Sequence, residues 1–323
     1  MACTTAVLND SFLFSWPKDL MILDSLLIVH DSYLQTTSLH IFRKSDGTHL
    51  KSFGAKGRGP GELIGINSVN TNYDGSITVF DLTGNKIILF DIVSVLLDRK
   101  PCFTEYPIPT APNRIKQVLR HKNEFIVKGN DDKMRYGFWN PSAQTCHDLY
   151  TAYPQLSDDP EANWSLTDYA VRVRLSPDGK MLAGATYIGG VLELFDISEN
   201  GLHPRAARYF FEPRCEYLEG ARPRWVQPVP ESVIGFEDLY LTDDAIYGLV
   251  WGVEKSEMAD SKPQLFRFDP NGNPTTAYTL SDEVLETIAV DNDGTIYGAG
   301  CDSEGRYKLC RYTPSANPAV SAN

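Results

Sequence analysis

The sequence predicts an all-β protein: a six-bladed β-propeller of four-stranded antiparallel blades, closed by an N-terminal strand. Three observations predict it. One unit, two β-rich runs split by a tight turn, recurs six times along 323 residues. Polar-Gly pairs separate the runs, and helical periodicity is scarce.

The repeat is marked by an aromatic near the end of its later run. The positions are Phe42, Phe90, Trp139, Phe195, Phe268 and Tyr312, spaced by 48, 49, 56, 73 and 44 residues. Four strands with their turns occupy about 40–50 residues. The widest interval holds a long loop between residues 212 and 232. A lone four-stranded sheet with two bare faces and two open edges is not stable, so the copies must cover one another. Nearly continuous apolar runs, such as Leu26-Leu27-Ile28-Val29 and Ile77-Thr78-Val79-Phe80, are strands covered on both faces.

The turns follow. Asp46-Gly47, Asp74-Gly75, Asp178-Gly179, Asn271-Gly272 and Asp293-Gly294 all sit between β-rich runs. Gly accepts positive φ, and Asp or Asn bonds its own backbone. The best helix candidate is the short segment 282–289. The last copy lacks an outermost strand, since the chain beyond Tyr312 is rich in Pro, Ser, Ala and Asn; residues 315–323 read as a disordered tail. Residues 4–16 are β-compatible and are expected to supply the missing strand. No linker divides the copies, so residues 1–323 form one domain.

Formal net charge is −12, which argues against a nucleic-acid surface and suits a monomer. No stretch reaches the ~20 apolar residues of a membrane helix. The first twenty residues lack a signal-peptide pattern. None of the six cysteines forms a Cys-x-x-Cys pair. Cys301 and Cys310 flank a turn and are read as ordinary small core residues, a disulfide being the alternative. No pair of histidines has metal-ligand spacing, and His30 and His40 are expected to be structural. No cofactor is expected.

The segment Phe53-Gly54-Ala55-Lys56-Gly57-Arg58-Gly59-Pro60-Gly61-Glu62-Leu63, followed by Asp74-Gly75 and Ile77-Thr78-Val79-Phe80-Asp81, resembles an NHL-type repeat. Its Gly-x-Gly-Pro-Gly-Glu form is similar to six-bladed, TolB-like propellers of Bacteroidetes. Leu175-Ser176-Pro177-Asp178-Gly179-Lys180 is similar to the TolB repeat itself. The resemblance implies a six-bladed ring with a binding face, an interaction role, and a place in the periplasm or cell envelope.

In such a ring, the blade connectors and the turns between the two middle strands share one face. Here that face gathers the long segments 54–63, 109–115, 129–136, 151–169, 187–190, 212–235 and 252–263. The ligand-binding candidates are Arg58, Arg135, Tyr136, Trp164, Tyr187, Arg222, Arg224 and Trp225. Arg beside an aromatic suits anionic or sugar-like ligands, and equally a protein interface. The plainer reading pairs acidic loop 158–161 with basic loop 214–224. The Gly54–Gly61 loop is read as a blade connector, not a phosphate cradle, because Pro60 removes a donor.

No catalytic residue is assigned, and the expected function is non-enzymatic binding of a protein or carbohydrate. The alternative is a metal-dependent lactonase, sugar hydrolase or lyase. Six-bladed lactonases hold calcium in the channel, and Asn67, Asp168, Glu237 and Asp238 are the oxygen donors near innermost-strand starts. A third reading is a structural module, recognisable by a channel plugged with side chains.

Overall fold

A computed structural model describes residues 1–33, 36–108, 115–131, 134–152, 171–212, 214, 216–217, 226–280 and 283–315. Six four-stranded antiparallel sheets follow the chain. Blade 1 comprises Pro17–Leu23, Leu26–Asp31, Thr37–Arg43 and His49–Ala55. Blade 2 runs from Ile66–Thr71 to Phe103–Pro107, blade 3 from Gln117–His121 to Thr145–Tyr150, and blade 4 from Val171–Leu175 to Gly201–Tyr209. Blade 5 runs from Val233–Leu241 to Pro274–Tyr278. Blade 6 takes Val284–Val290, Ile296–Cys301 and Tyr307–Pro314, with Cys3–Asn9 hydrogen-bonded antiparallel along the last of these.

The first strand of each blade touches the first strand of the next, and that of blade 6 touches that of blade 1. Six first strands therefore surround a common axis. The core is correspondingly divided. Six apolar clusters occupy the six gaps between neighbouring blades. Between blades 1 and 2, for example, Ile28, Leu39 and Ile41 meet Ile77, Val79 and Ile88. Each buried side chain of this size contributes about 1.5–3 kcal/mol. No blade can keep that gain alone, which is why the sequence needs six of them.

The six marker aromatics all lie on third strands, and all are buried. They are the wedges that fill the broad outer half of each gap. The five polar-Gly pairs form turns, with φ between 70° and 83° at their glycines. A second device recurs at the loop-bearing face. Asp31 accepts the backbone N–H groups of Ser15 and Trp16 at 2.6 and 2.7 Å, and Asp81 those of Ile64 and Gly65 at 2.8 and 2.9 Å. These buried carboxylates fix the chain as it enters the first strand of its blade.

One expectation is corrected, and at the cysteines the unbonded reading holds over the disulfide alternative. The described part of segment 282–289 is not helical; Val284–Val290 is the innermost strand of blade 6, because β-branched Val, Thr and Ile on a doubly covered surface favour extended backbone. The described helical segments are a five-residue helix, α1 (Ile92–Leu96), and a 3-10 turn at Lys255–Asp260. Cys301 and Cys310 are free thiols. Cys310 pairs across the hairpin with Gly298, three residues from Cys301, so the two side chains fall on opposite faces. Residues 316–323, most of the anticipated tail, lie outside the described residues.

Candidate functional site

The axis is crossed by charge. Arg172 and Arg174 alternate along the innermost strand of blade 4, so both project from one side of it. Arg172 Nη1 donates to Asp19 Oδ1 of blade 1, the blade opposite, at 3.1 Å. Arg174 Nη2 donates to Asp19 Oδ1 at 3.3 Å and to Asp238 Oδ1 of blade 5 at 3.1 Å. Asp238 Oδ2 accepts from Thr287 Oγ1 at 2.7 Å and from the Ile288 N–H at 3.0 Å, both in blade 6. Asp19 Oδ2 meets His30 Nδ1 at 2.8 Å. Four blades are thus tied by two carboxylates and two guanidiniums. Burial alone would raise the Asp19 pKa, but its bond to His30 and the two arginines hold it far below the usual carboxylate range. Burial also opposes charge on Arg172, and Asp19, Asp238, Glu237 and Glu286 more than offset it.

Above this lattice, toward the loop-bearing face, lies a half-buried rim of aromatics and carboxylates. Trp16 Nε1 donates to Glu286 Oε2 at 3.1 Å, and Trp251 Nε1 to Glu237 Oε2 at 2.9 Å. Tyr307 Oη reaches Glu286 Oε1 at 3.5 Å. Tyr33 stacks on Trp16, with centroids 5.3 Å apart, and is 67% exposed. Tyr187 comes from the middle turn of blade 4. Burial, then the charges of Glu237 and Glu286, push its phenol up to about 12, so it stays a hydrogen-bond donor. Burial first, and Glu286 among the further causes, raises the Glu237 pKa.

A close approach of two glycines places Tyr187. Gly189 N–H donates to Val233 O at 3.0 Å and Gly235 N–H to Tyr187 O at 2.5 Å, which seats the turn on the innermost strand of blade 5. A Cβ at Gly235 would fall 2.4 Å from Gly190 Cα and 2.8 Å from Thr186 O. Gly235→Ala should therefore lower stability by about 1–3 kcal/mol, read from a urea midpoint, and displace Tyr187. An unchanged midpoint would show that the turn yields freely.

The residues expected at a binding face divide into four groups. Tyr187 belongs to the rim. Arg58 is exposed on the connector of blades 1 and 2, where Glu62 accepts the Gly59 N–H at 2.7 Å and a Cβ at Gly61 would strike Phe103. That is the packing of a connector. Arg135 and Tyr136 are corrected: they lie within the strand Met134–Asn140, not in a turn, and both are buried. The Arg135 guanidinium pairs with Glu193 of blade 4, at 2.9 Å for Nη1, and lies over the Tyr136 ring. A buried Arg is stabilised by such a partner, and the pair serves the gap between blades 3 and 4. Trp164, Arg222, Arg224 and Trp225 lie outside the described residues, as do the acidic loop 158–161 and Asp168.

Sequence reasoning missed Trp16, Trp251 and Glu286 at the rim, and Asp19, Arg172 and Arg174 on the axis. The Arg-x-Arg alternation in a predicted innermost strand was an available signal for the last two. A cavity of about 1010 Å³ opens at the opposite end, among the tight hairpins. Asn72, Arg120, Lys122, Arg174 and Asp178 are among its lining residues.

The calcium site that lactonase-like rings imply does not fit here. Asp238 is fully engaged by Arg174, Thr287 and backbone N–H groups, Glu237 accepts from Trp251, and Asn67 Nδ2 donates to Lys116 O. Two guanidiniums stand where a cation would bind, and like charges repel. Among the described residues, no group of three or more His, Cys, Asp or Glu side chains is placed to hold a metal. None of the described helices is long and apolar enough to cross a membrane.

Six blades around a charged axis, with an aromatic rim at the loop-bearing end, define a six-bladed propeller. The family described as TolB-like 6-blade propeller-like matches residues 2–293, and the chain belongs to it. No curated protein matches the sequence. Among solved structures, a DUF4221 family member from Bacteroides vulgatus aligns with a TM-score of 0.61 at 9% identity, covering 97% of each chain. A protein described as exported, from Bacteroides fragilis, aligns at 0.60 and 12% identity, covering 97% of this chain and 95% of the other. A gluconolactonase from Xanthomonas campestris aligns at 0.54 and 13% identity, covering 96% and 89%. At such identities the likeness is one of fold.

Proposed function

We propose that this propeller works by binding rather than by chemistry, and that its loop-bearing face takes a carbohydrate or a protein segment. One observation carries the reading. The rim sets the indoles of Trp16 and Trp251 against Glu286 and Glu237, with Tyr187 and Tyr307 beside them, above an axis whose carboxylates are already bonded. Aromatic faces and carboxylate acceptors suit the apolar faces and hydroxyls of a sugar. Its solved structural neighbours, an exported protein and a gluconolactonase among them, show that this fold serves more than one function. Arg58, Trp164, Arg222, Arg224 and Trp225 belong to the same proposal as contributors from the long loops.

A glycan array followed by calorimetry tests it. Intact protein should retain at least one glycan or extended peptide. Trp251→Ala, and separately the pair Arg222→Ala and Trp225→Ala, should each weaken capture roughly tenfold without changing the melting temperature. A blank array and no captured peptide for the intact protein would remove the reading. The second reading, a hydrolase or lyase of lactone or sugar type, gains from the raised Glu237 pKa beside Glu286. Turnover of a lactone or aryl glycoside that vanishes in Glu237→Gln would favour it instead.

A further inference from the structure

We infer that the seam between the first and last blades is an acid-sensitive latch, with His40 as its trigger and the N-terminal segment as the strap. Residues Cys3–Asn9 are paired with blade 6, and the chain then crosses onto blade 1. Asn9 Nδ2 donates to Gly47 O at 2.9 Å. Phe12 and Phe14 pack on Phe42, which belongs to the apolar cluster of the seam. Phe12 also covers two imidazoles, His40 at 4.7 Å and His49 at 4.8 Å between ring centroids. The strap thus holds the two blades by backbone pairing on one side and by aromatic contact on the other.

The imidazoles beneath it share a single hydroxyl. His40 Nδ1 lies 2.8 Å and His49 Nε2 3.0 Å from Ser52 Oγ. A serine hydroxyl has one proton, so it donates to one ring and accepts from the other. With His40 Nδ1–H donating to Ser52 and Ser52 donating to His49 Nε2, His49 must be neutral to accept and His40 Nε2 carries no proton. His40 is 1% exposed, and its Nε2 has no partner among the described residues. A second proton on His40 would put an N–H and a charge into an aromatic pocket with no acceptor. The titratable groups acting on His40 are His49 and His30, and no carboxylate among the described residues offsets them. His30 is itself held by Asp19 on the other side of the sheet.

Burial, then His49 and His30, bring the His40 pKa down to about 4, and burial lowers that of His49. An unfolded or released His titrates near 6.5. Between about 6.5 and 4 the open state binds more protons than the closed one, so closure is complete above that window and weakens as pH falls through it. Asp19 stays ionised throughout the window, so it adds no slope there. The lever is one proton, which gives up to about a tenfold loss of protection per pH unit.

Hydrogen exchange read by mass spectrometry tests the latch on the full chain. Residues 3–14 are compared with residues 117–131 of blade 3 at the same pH, so that intrinsic exchange cancels. The expected result is a selective loss of protection in residues 3–14 as pH falls from 7 to 4.5. His40→Phe, which keeps the aromatic packing, should flatten that loss, and His49→Gln should flatten it partly. If His40→Phe fails to fold, the His49→Gln profile and imidazole titration by NMR decide. Equal loss in both segments, superimposable profiles for wild type and variants, or a His40 titrating near 6.5 would overturn the inference.

Discussion

Asp238→Ala is expected to lower unfolding stability by about 3–5 kcal/mol, the largest effect of any single substitution proposed for this chain. The carboxylate has no solvent exposure, and it joins blades 4, 5 and 6 through Arg174, Thr287 and the Ile288 N–H. Its removal takes an acceptor from the Thr287 hydroxyl and from the Leu239 and Ile288 N–H groups, and one partner from Arg174. Asp19 still bonds Arg174 at 3.3 Å, so the cost stays within the usual range for a broken buried pair. Urea unfolding measures it directly. Combining Asp238→Ala with Arg174→Met should recover part of the loss, since residues in one network do not add. A loss below 1 kcal/mol, or strict additivity, would show that the axial lattice contributes little to the ring.

Deleting residues 2–9 should rank second, at about 3–5 kcal/mol, from loss of one strand's backbone hydrogen bonds at about 1 kcal/mol each. Six residues of this strand are in register with Leu309–Pro314, and neighbouring backbone groups reach blade 5 through Thr279. Without it the strand Tyr307–Pro314 becomes a bare edge beside buried Cys310 and Tyr312. Such an edge recruits other chains, so the truncated protein should aggregate on warming. A synthetic peptide of residues 1–14 added in trans should restore melting temperature. A truncated protein that melts with the full chain, or is indifferent to the peptide, would mean that the ring does not need its N-terminal strand.

The fold was legible because it rests on local signals repeated six times. An aromatic at each third strand, apolar middle strands and polar-Gly turns act within one blade, and their spacing alone gives the count. The errors arose where a local pattern has two physical solutions. Segment 129–136 reads as a turn between two middle strands, so Arg135 and Tyr136 are expected on the loop-bearing face. The neighbouring strands in fact extend to Asp131 and begin again at Met134, and Glu193 of the next blade compensates the buried guanidinium. Segment 282–289 shows a similar ambiguity, short apolar spacing that serves helix or strand until a covered sheet decides.

The site was much less legible. Trp16 and Glu286 are 270 residues apart, and Arg172 and Asp19 are 153 apart, yet each pair is in hydrogen-bond contact. No spacing in one strand announces a partner on the opposite blade. The sequence alone therefore determined the all-β class, the six repeats and the turns, because each depends on interactions within about fifty residues. Only the tertiary structure decided which charges meet on the axis, which indoles face Glu237 and Glu286, and that two histidines share Ser52 under Phe12. Those contacts exist because six first strands are brought around one axis, and that closure depends on every interblade gap being filled at once.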